Sequence, residues 1–425
     1  MDPGTLEPGT LEPAAVVDHL FRQHSGRLLA TLTRLLGSRN LALAEEVVQE
    51  ALVTALQQWP FQGIPSNPSA WLIQVAKNRA LDRLRRDRRF SERERDVAAA
   101  FESRTSMGDP ARPFEDDELC MMVMACHPEL PRESRVALTL KTVGGFSVAE
   151  IARAFLAQES TIAQRLVRAK RLIRERDIPL DLPVASEMST RLDSLLEVLY
   201  LMFNEGYAAH VGEALVRQDL VQEAIRLARM LSRHPATNAP KTHALLALML
   251  LHAARIPART AAEHDLFVLE EQDRSIWDRG LISEGLRHLD ASAHGDIVSS
   301  YHLQAGIAAC HAIAPSYADT NWAEIVSLYD ALLDVEPTPI VALNRAIALS
   351  RGAGAAAGLH ALAPLHDDPT LSRYYLFHAT LGELSREVGD AATAARHYAA
   401  ALSLPSSTPV RRFLQRKLAS LGFGI

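Results

Sequence analysis

The chain of 425 residues carries only three cysteines, Cys120, Cys126 and Cys310, too few and too irregularly spaced for a disulfide framework. Cys126-His127 beside Cys120 lacks a second ligand pair, so buried thiols are expected there rather than a metal centre. Aromatic residues make up 6% and β-branched runs are few, whereas Ala, Leu and Arg abound, which points to an all-α protein. Long apolar runs are missing as well. The most apolar stretch, Ala244–Leu251, is too short to cross a bilayer, so no membrane partner is expected. The opening MDPGTLEPGTLEP is acidic and rich in Pro and Gly rather than basic then apolar. It reads as a disordered lead-in over residues 1–13 of a cytoplasmic protein. No Gly-rich phosphate loop, nucleophile motif or spaced histidine set is present, so no catalytic residue, metal or cofactor is expected. Asp273 and Asp278 near His264 are the nearest approach to an acid–base pair, and nothing around them supports it.

A strong charge of one sign is also missing, since the net charge is −6. Its distribution is uneven. Residues 1–178 hold 25 basic and 24 acidic side chains, against 20 and 27 in the remainder. A near-neutral front with local basic helices is thus joined to an acidic rear, and any case for nucleic acid rests on local clusters.

The densest cluster lies in Leu130–Arg176. Ser147 and Glu150 form a capping-box pattern before Ile151, Ala152 and Phe155 at helical spacing. Ser160 can cap a second helix that turns Ile162, Leu166, Ala169 and Ile173 inward. Its other face carries Thr161, Gln164, Arg165, Arg168, Lys170, Arg171 and Arg174. This is the pattern of a helix-turn-helix, in which early polar residues of the second helix reach base edges and later cations hold phosphates. A helical hairpin with a solvated basic face is the competing reading.

Upstream, residues 14–36 read as a helix, followed after Gly37–Asn40 by a second over Leu41–Trp59, with Ala44, Val47, Val48, Ala51, Leu52, Ala55 and Leu56 inward. Glu45, Glu46, Gln49 and Glu50 make its outer strip, suited to a basic partner or merely solvated. Three prolines and a glycine predict a loop over Pro60–Pro68. The helix predicted for Ser69–Arg89 packs through Ile73, Ala76, Ala80 and Leu84, and carries Trp71, Asn78, Arg79, Arg83 and Arg86 elsewhere. One aromatic at the mouth of a basic helix, beside a polar loop, suits single-stranded DNA; a buried structural Trp is the alternative. Residues 90–119 are charged, with Gly and Pro at their centre, and read mostly as a linker.

Three segments, AEEVVQEALVTAL (44–56), AWLIQVAKNRALDRLRR (70–86) and AEIARAFLAQESTIAQRLVRAKRLI (149–173), come in an order and separation that resembles the sigma-70 family of transcription initiation factors, extracytoplasmic-function type. The resemblance implies a region 2 over residues 14–90, a linker over 91–117 and a region 4 over 118–178. It implies core RNA polymerase (beta-prime clamp and beta flap) and promoter DNA as partners. On that basis Glu46, Gln49 and Glu50 become candidate core contacts. Phe61, Ser66, Asn67, Trp71, Asn78, Arg79, Arg83 and Arg86 become candidate contacts to the −10 element, with a flipped base held by the loop. Ser160, Thr161, Gln164, Arg165, Arg168, Lys170 and Arg171 become candidates at the −35 element. The turn FLAQESTIAQRL departs from the family in lacking a glycine before the second helix.

The acidic rear, residues 186–425, reads as stacked helical pairs. In YYLFHATLGELSREVGDAATAARHYAAALSLP (374–405), Ala379, Gly382, Ala394 and Ala401 fall where two helices cross, and Gly389-Asp390 separates them. This fits the tetratricopeptide pattern, and YDALLDVEP (329–337) echoes its closing piece about two periods of roughly 34 residues upstream. Residues 320–349 and 219–254 give two further units. LEVLYLMFNEGYAA (196–209), LEEQDRSIWDRGLI (269–282) and YHLQAGIAACHA (301–312) fit less well. There Asn204, Glu205, Asp273, Arg274 and Trp277 either line a concave binding face or pair internally and cap helices. These segments resemble a subgroup of sigma factors with a C-terminal tetratricopeptide-like extension, which implies a regulatory domain open to a protein or ligand regulator. The alternative function is a helix-turn-helix regulator with a tetratricopeptide sensor that never touches core polymerase.

Overall fold

Amphipathic helices account for every regular element among the described residues of a computed structural model, which are 26–86, 112–155, 157–207, 217–259, 268–295 and 297–422. The all-α expectation holds. The chain divides into two compact units, Met1–Val198 and Leu199–Ile425, the division falling within helix Ala185–Tyr207.

In the first unit a helix over residues 26–36 is followed by Leu41–Gln62 and Pro68–Arg86. Leu28, Leu32, Ala44, Val47, Val48, Ala51, Ala55, Leu72, Ile73, Ala76 and Ala80 are all buried, as their periodicity requires. Two expectations fail here. Pro60 lies inside the helix, which runs on to Gln62 and closes with the Gly63 amide donating 3.0 Å to the Trp59 carbonyl. Proline forfeits one intrahelical bond, and in the last turn that loss is tolerable. Pro68 in turn opens the next helix, where its fixed φ is already suitable. Leu56, expected inside, is 43% exposed, and Val53 beside it is 52% exposed.

The helix Arg112–Ala125 also begins earlier than expected, within the stretch read as linker. Asp117 and Glu118, read as the acidic end of that linker, are each 1% exposed. Arg34 pairs with Asp117 at 2.5 Å, Thr31 donates to it at 3.1 Å, and Arg27 pairs with Glu118 at 3.3 Å. Such buried carboxylates are affordable because each has a cation and hydrogen bonds. Helices Arg132–Thr142, Val148–Ala154 and Glu159–Arg176 complete the small bundle. Cys120 and Cys126 are buried free thiols, and burial pushes the Cys126 thiol up to about 11.

The second unit is a run of antiparallel helical pairs: Gln218–Arg233 with Pro240–Ala253, Trp322–Val335 with Pro339–Ala353, and Tyr375–Glu387 with Ala391–Ser403. In the last pair Gly389 turns the chain at φ 85°, and Asp390 accepts the Thr393 amide at 3.0 Å. A Cβ on Gly382 would come within 3.0 Å of the Tyr398 ring, so the small residue there lets the two helices touch. Tyr398 is buried and donates to Glu383, which also takes Arg386 at 2.6 Å and Lys417 at 3.2 Å. The segments 196–207 and 301–312, which fit a repeat poorly, are helical too, whereas 269–278 forms short 3-10 turns.

Candidate nucleic-acid interface

The helix-turn-helix forms from its caps outward. The Glu150 amide donates 3.1 Å to the Ser147 hydroxyl, and the Ser147 amide donates 2.7 Å to the Glu150 carboxylate, which fixes the first helix. The second helix begins at Glu159 with Gln158 as its cap, two residues ahead of the expected Ser160 cap. Gln158 is extended at φ −71° and ψ 142°, so the chain changes direction there without a left-handed glycine. Ile162, Leu166, Ala169 and Ile173 are all buried. Asp177 closes the helix in the left-handed region at φ 52°, and its side chain takes a bidentate bond from Arg39 at 2.5 and 2.7 Å.

With one stripe buried, the opposite face is set. Ser160, Thr161, Gln164, Arg168 and Arg171 are exposed together on it. Arg165 is half-buried and pairs with Glu133 at 2.5 Å, so its guanidinium is partly committed. Lys170 departs from the expected face: it is half-buried and pairs with Glu45 of helix Leu41–Gln62. Val167, 66% exposed, stands among the polar residues. Reading for charge passed over it, although an exposed Val on a basic helix face is itself a signal.

The second candidate surface joins helices Leu41–Gln62 and Pro68–Arg86. Glu50 accepts from Arg79 at 2.8 Å, and Arg83 pairs with both Glu46 and Glu50. Arg79 also donates to the Thr54 hydroxyl at 2.8 Å. The hydrogen bond from Arg79, opposed by burial and helped by the nearby Arg83 charge, holds the Glu50 carboxyl below its ordinary value. The acidic strip and the basic helix thus bind each other. Gln49 remains exposed, and at helical spacing from it come exposed Val53 and Leu56. Periodicity alone places Leu56 inward and gives Val53 no role, so the strip is not evident from the sequence.

Between the helices the loop is reduced to residues 63–67. Phe61 at its edge is 89% exposed and Ser66 is exposed. Asn67 accepts the Ala70 amide at 3.0 Å and so caps the following helix. Trp71 is half-buried, with its ring edge-on to Trp59 at 5.5 Å and 61°, leaving part of it open to solvent. Asn78 is exposed and accepts from Gln74 at 3.0 Å. The side chain of Arg86 lies outside the described residues.

In the rear unit Arg274 and Trp277 lie inside rather than on an open face, at 8% and 3% exposure. Arg274 donates to the His311 and Ala314 carbonyls, both at 2.7 Å, and to the Thr320 hydroxyl at 3.2 Å. Asp273 caps the short turn by accepting the Ser275 amide at 2.8 Å. Asn204 bonds to the Tyr200 hydroxyl, and burial pushes the half-buried Glu205 carboxyl up to about 7 against the pull of Arg217. Arg274 is thus engaged within the fold, and Asp273 serves as a cap.

Similarity to known proteins follows the same division. Residues 20–90 match the model of sigma-70 region 2, residues 120–173 that of sigma-70 region 4, and residues 191–293 a family of unknown function (DUF6596). An uncharacterised protein of Rhizobium meliloti is 38% identical over 396 residues, which is 90% of this chain and 91% of that protein. The ECF RNA polymerase sigma factor SigL of Mycobacterium tuberculosis is 31% identical over 166 residues, 38% of this chain and 88% of the factor. SigM of the same species is 30% identical over 155 residues, 36% of this chain and 72% of the factor. No solved structure matches the chain.

Proposed function

Because the chain belongs to the sigma-70 family of RNA polymerase sigma factors, of the extracytoplasmic-function type, we propose that its two small helical modules dock on core polymerase and open a promoter between them. Promoter recognition and polymerase binding are its function, and polymerase itself makes the bonds. The reading of a regulator that never meets polymerase is set aside by family membership.

Residues 14–90 act as region 2, 118–178 as region 4 and 186–425 as a tetratricopeptide-like regulatory extension that marks a distinct subgroup. The residue roles rest on exposure and charge. Thr161, Gln164 and Val167 face the bases, Val167 suited to a thymine methyl, while Arg165, Arg168 and Arg171 hold phosphates. Ser160 adds a hydroxyl at the helix start. Phe61, Ser66 and Asn67 border a flipped base, Trp71 stacks on its neighbour, and Asn78, Arg79, Arg83 and Arg86 track the strand. Gln49, with Val53 and Leu56, forms the centre of the core contact, and Glu46 and Glu50 its acidic rim.

The observation that carries the reading is the pairing of Glu46 and Glu50 with Arg79 and Arg83. Core polymerase taking the carboxylates releases the guanidiniums for DNA, which couples the two binding events. A transcription assay tests this: Glu46→Gln with Glu50→Gln should weaken core binding while strengthening non-specific single-strand binding by the free factor. Equal loss of both would refute the coupling. The rear unit modulates initiation, and comparison of the full chain with a form ending near Pro179 gives the sign of that effect.

A further inference from the structure

Within the second unit, one buried cluster is positively charged and short of partners. Arg255 follows helix Pro240–Ala253 and places its guanidinium 5.4 Å from the centre of the Trp277 ring, while Arg274 lies 4.9 Å from the same ring. Arg259, one turn on, sits 4.1 Å over Tyr207, whose ring is 5.1 Å from that of His252. Arg274 is satisfied by two carbonyls and a hydroxyl, and Arg259 by the Tyr207 carbonyl at 3.0 Å together with the Tyr207 hydroxyl.

Arg255 has neither a hydrogen-bond partner nor a carboxylate for its guanidinium among the described residues. Four nitrogens here, His252 Nδ1, Arg255 Nε, Trp277 Nε1 and His311 Nδ1, are buried and without a hydrogen-bond partner among the described residues. Asp319 acts on Arg274 from outside the group; among the described residues the Tyr207 hydroxyl, not a carboxylate, is the group that favours the charge on Arg255.

One buried nitrogen without a partner is unremarkable, since a water can serve it. Four together, around a desolvated cation, are costly unless something negative joins them. The two imidazoles respond as they would beside uncompensated charge. Burial, then Arg255, Arg259 and His311, pushes His252 down to about 3. Burial, then Arg255 and Arg274, does the same to His311. Each ring is therefore neutral near pH 7 and can donate from one nitrogen.

We propose that His252, Arg255, Arg259, Trp277 and His311 form a binding site for an oxyanion, the phosphate or carboxylate group of a small ligand. The Arg255 guanidinium supplies the charge, and the Trp277 indole and the two imidazoles supply directed N–H donors around it. Trp277 also gives a flat wall against which the ligand's remaining atoms can pack. The site needs nothing from polymerase or DNA, so its test is separate from that of promoter recognition.

The full chain is titrated with inorganic phosphate and with acetate, at ionic strength matched by chloride, and followed by calorimetry and thermal melting. Saturable binding with a raised melting midpoint is expected for phosphate, for acetate, or for both, and the stronger of the two identifies the ligand group. Arg255→Gln should weaken that binding at least tenfold and should melt no lower than the parent without anion, because it removes an uncompensated charge. Trp277→Phe keeps the ring, loses the N–H, and should weaken binding several-fold. The proposal is overturned if neither anion saturates beyond chloride, or if Trp277→Phe and any folded Arg255→Gln bind as the parent does. It is equally overturned if Arg255→Gln melts well below the parent with no anion effect in either.

Discussion

Lys170, on the second helix of the helix-turn-helix, forms an ion pair with Glu45, on the helix that carries the acidic strip of region 2. The two sigma modules are therefore in contact, held also by Arg39 on Asp177 and by Arg34 and Arg27 on the buried pair Asp117 and Glu118.

The strength of that contact should be unevenly distributed. Asp117→Asn leaves Arg34 without its buried partner and should cost on the order of 3 kcal/mol. Lys170→Ala removes a partly exposed pair and should cost about 1 kcal/mol or less. Urea unfolding of both variants checks the order. Similar losses in the two would mean that the buried carboxylates do not hold the modules together.

Trp71 packs edge-on against Trp59, a contact worth about 1 kcal/mol beyond burial. Trp71→Ala should therefore destabilise the fold modestly yet impair promoter opening far more than duplex binding. Permanganate reactivity of −10 thymines measures the first and gel shifts the second. Parallel losses would make the ring a structural one alone.

Arg168 is exposed on the second helix of the helix-turn-helix, whereas Arg165 is partly committed to Glu133. Arg168→Ala should reduce the salt slope of duplex binding by about 1. Gln164→Ala should instead relax sequence preference at a cost of about 1–3 kcal/mol on the best site. A slope unchanged by Arg168→Ala would remove that residue from the phosphate contacts.

Glu205 gives the rear unit a pH dependence of definite sign. Its folded carboxyl is raised to about 7 by burial, above the usual value of about 4.3 in an unfolded chain. The neutral acid is favoured in the fold, so this contribution to stability is complete below about pH 4 and is lost as pH rises through about 7. Glu205→Gln should raise the melting midpoint at pH 8 and leave it nearly unchanged at pH 4. An equal shift at both would show that charge on Glu205 is not what the site resists.

The helices and the buried stripe of the helix-turn-helix were legible because periodicity fixes which residues face inward. Ile162, Leu166, Ala169 and Ile173 are buried as their spacing demands. The capping box at Ser147 and Glu150 was legible for a similar reason, since both partners lie within one turn. What spacing could not supply was pairing between distant segments. Asp117, Glu118, Glu45 and Lys170 look like solvated charges in sequence, and only the tertiary fold brings them to their partners. Pro60 misled in the opposite direction, because a local rule about proline has little force in the last turn of a helix. For Arg274 and Trp277 the sequence leaves an open face and internal pairing both possible, since a buried arginine is satisfied by carbonyls that carry no sequence signature.

The central claim is that the front of this chain is a promoter-specificity subunit whose modules act only with polymerase. Purified full-length chain, mixed with core polymerase and a library of promoter fragments, should form a complex and start transcripts at defined sites preceded by paired −35 and −10 elements. Failure to associate with core polymerase, or transcripts no different from those of core alone, would contradict it.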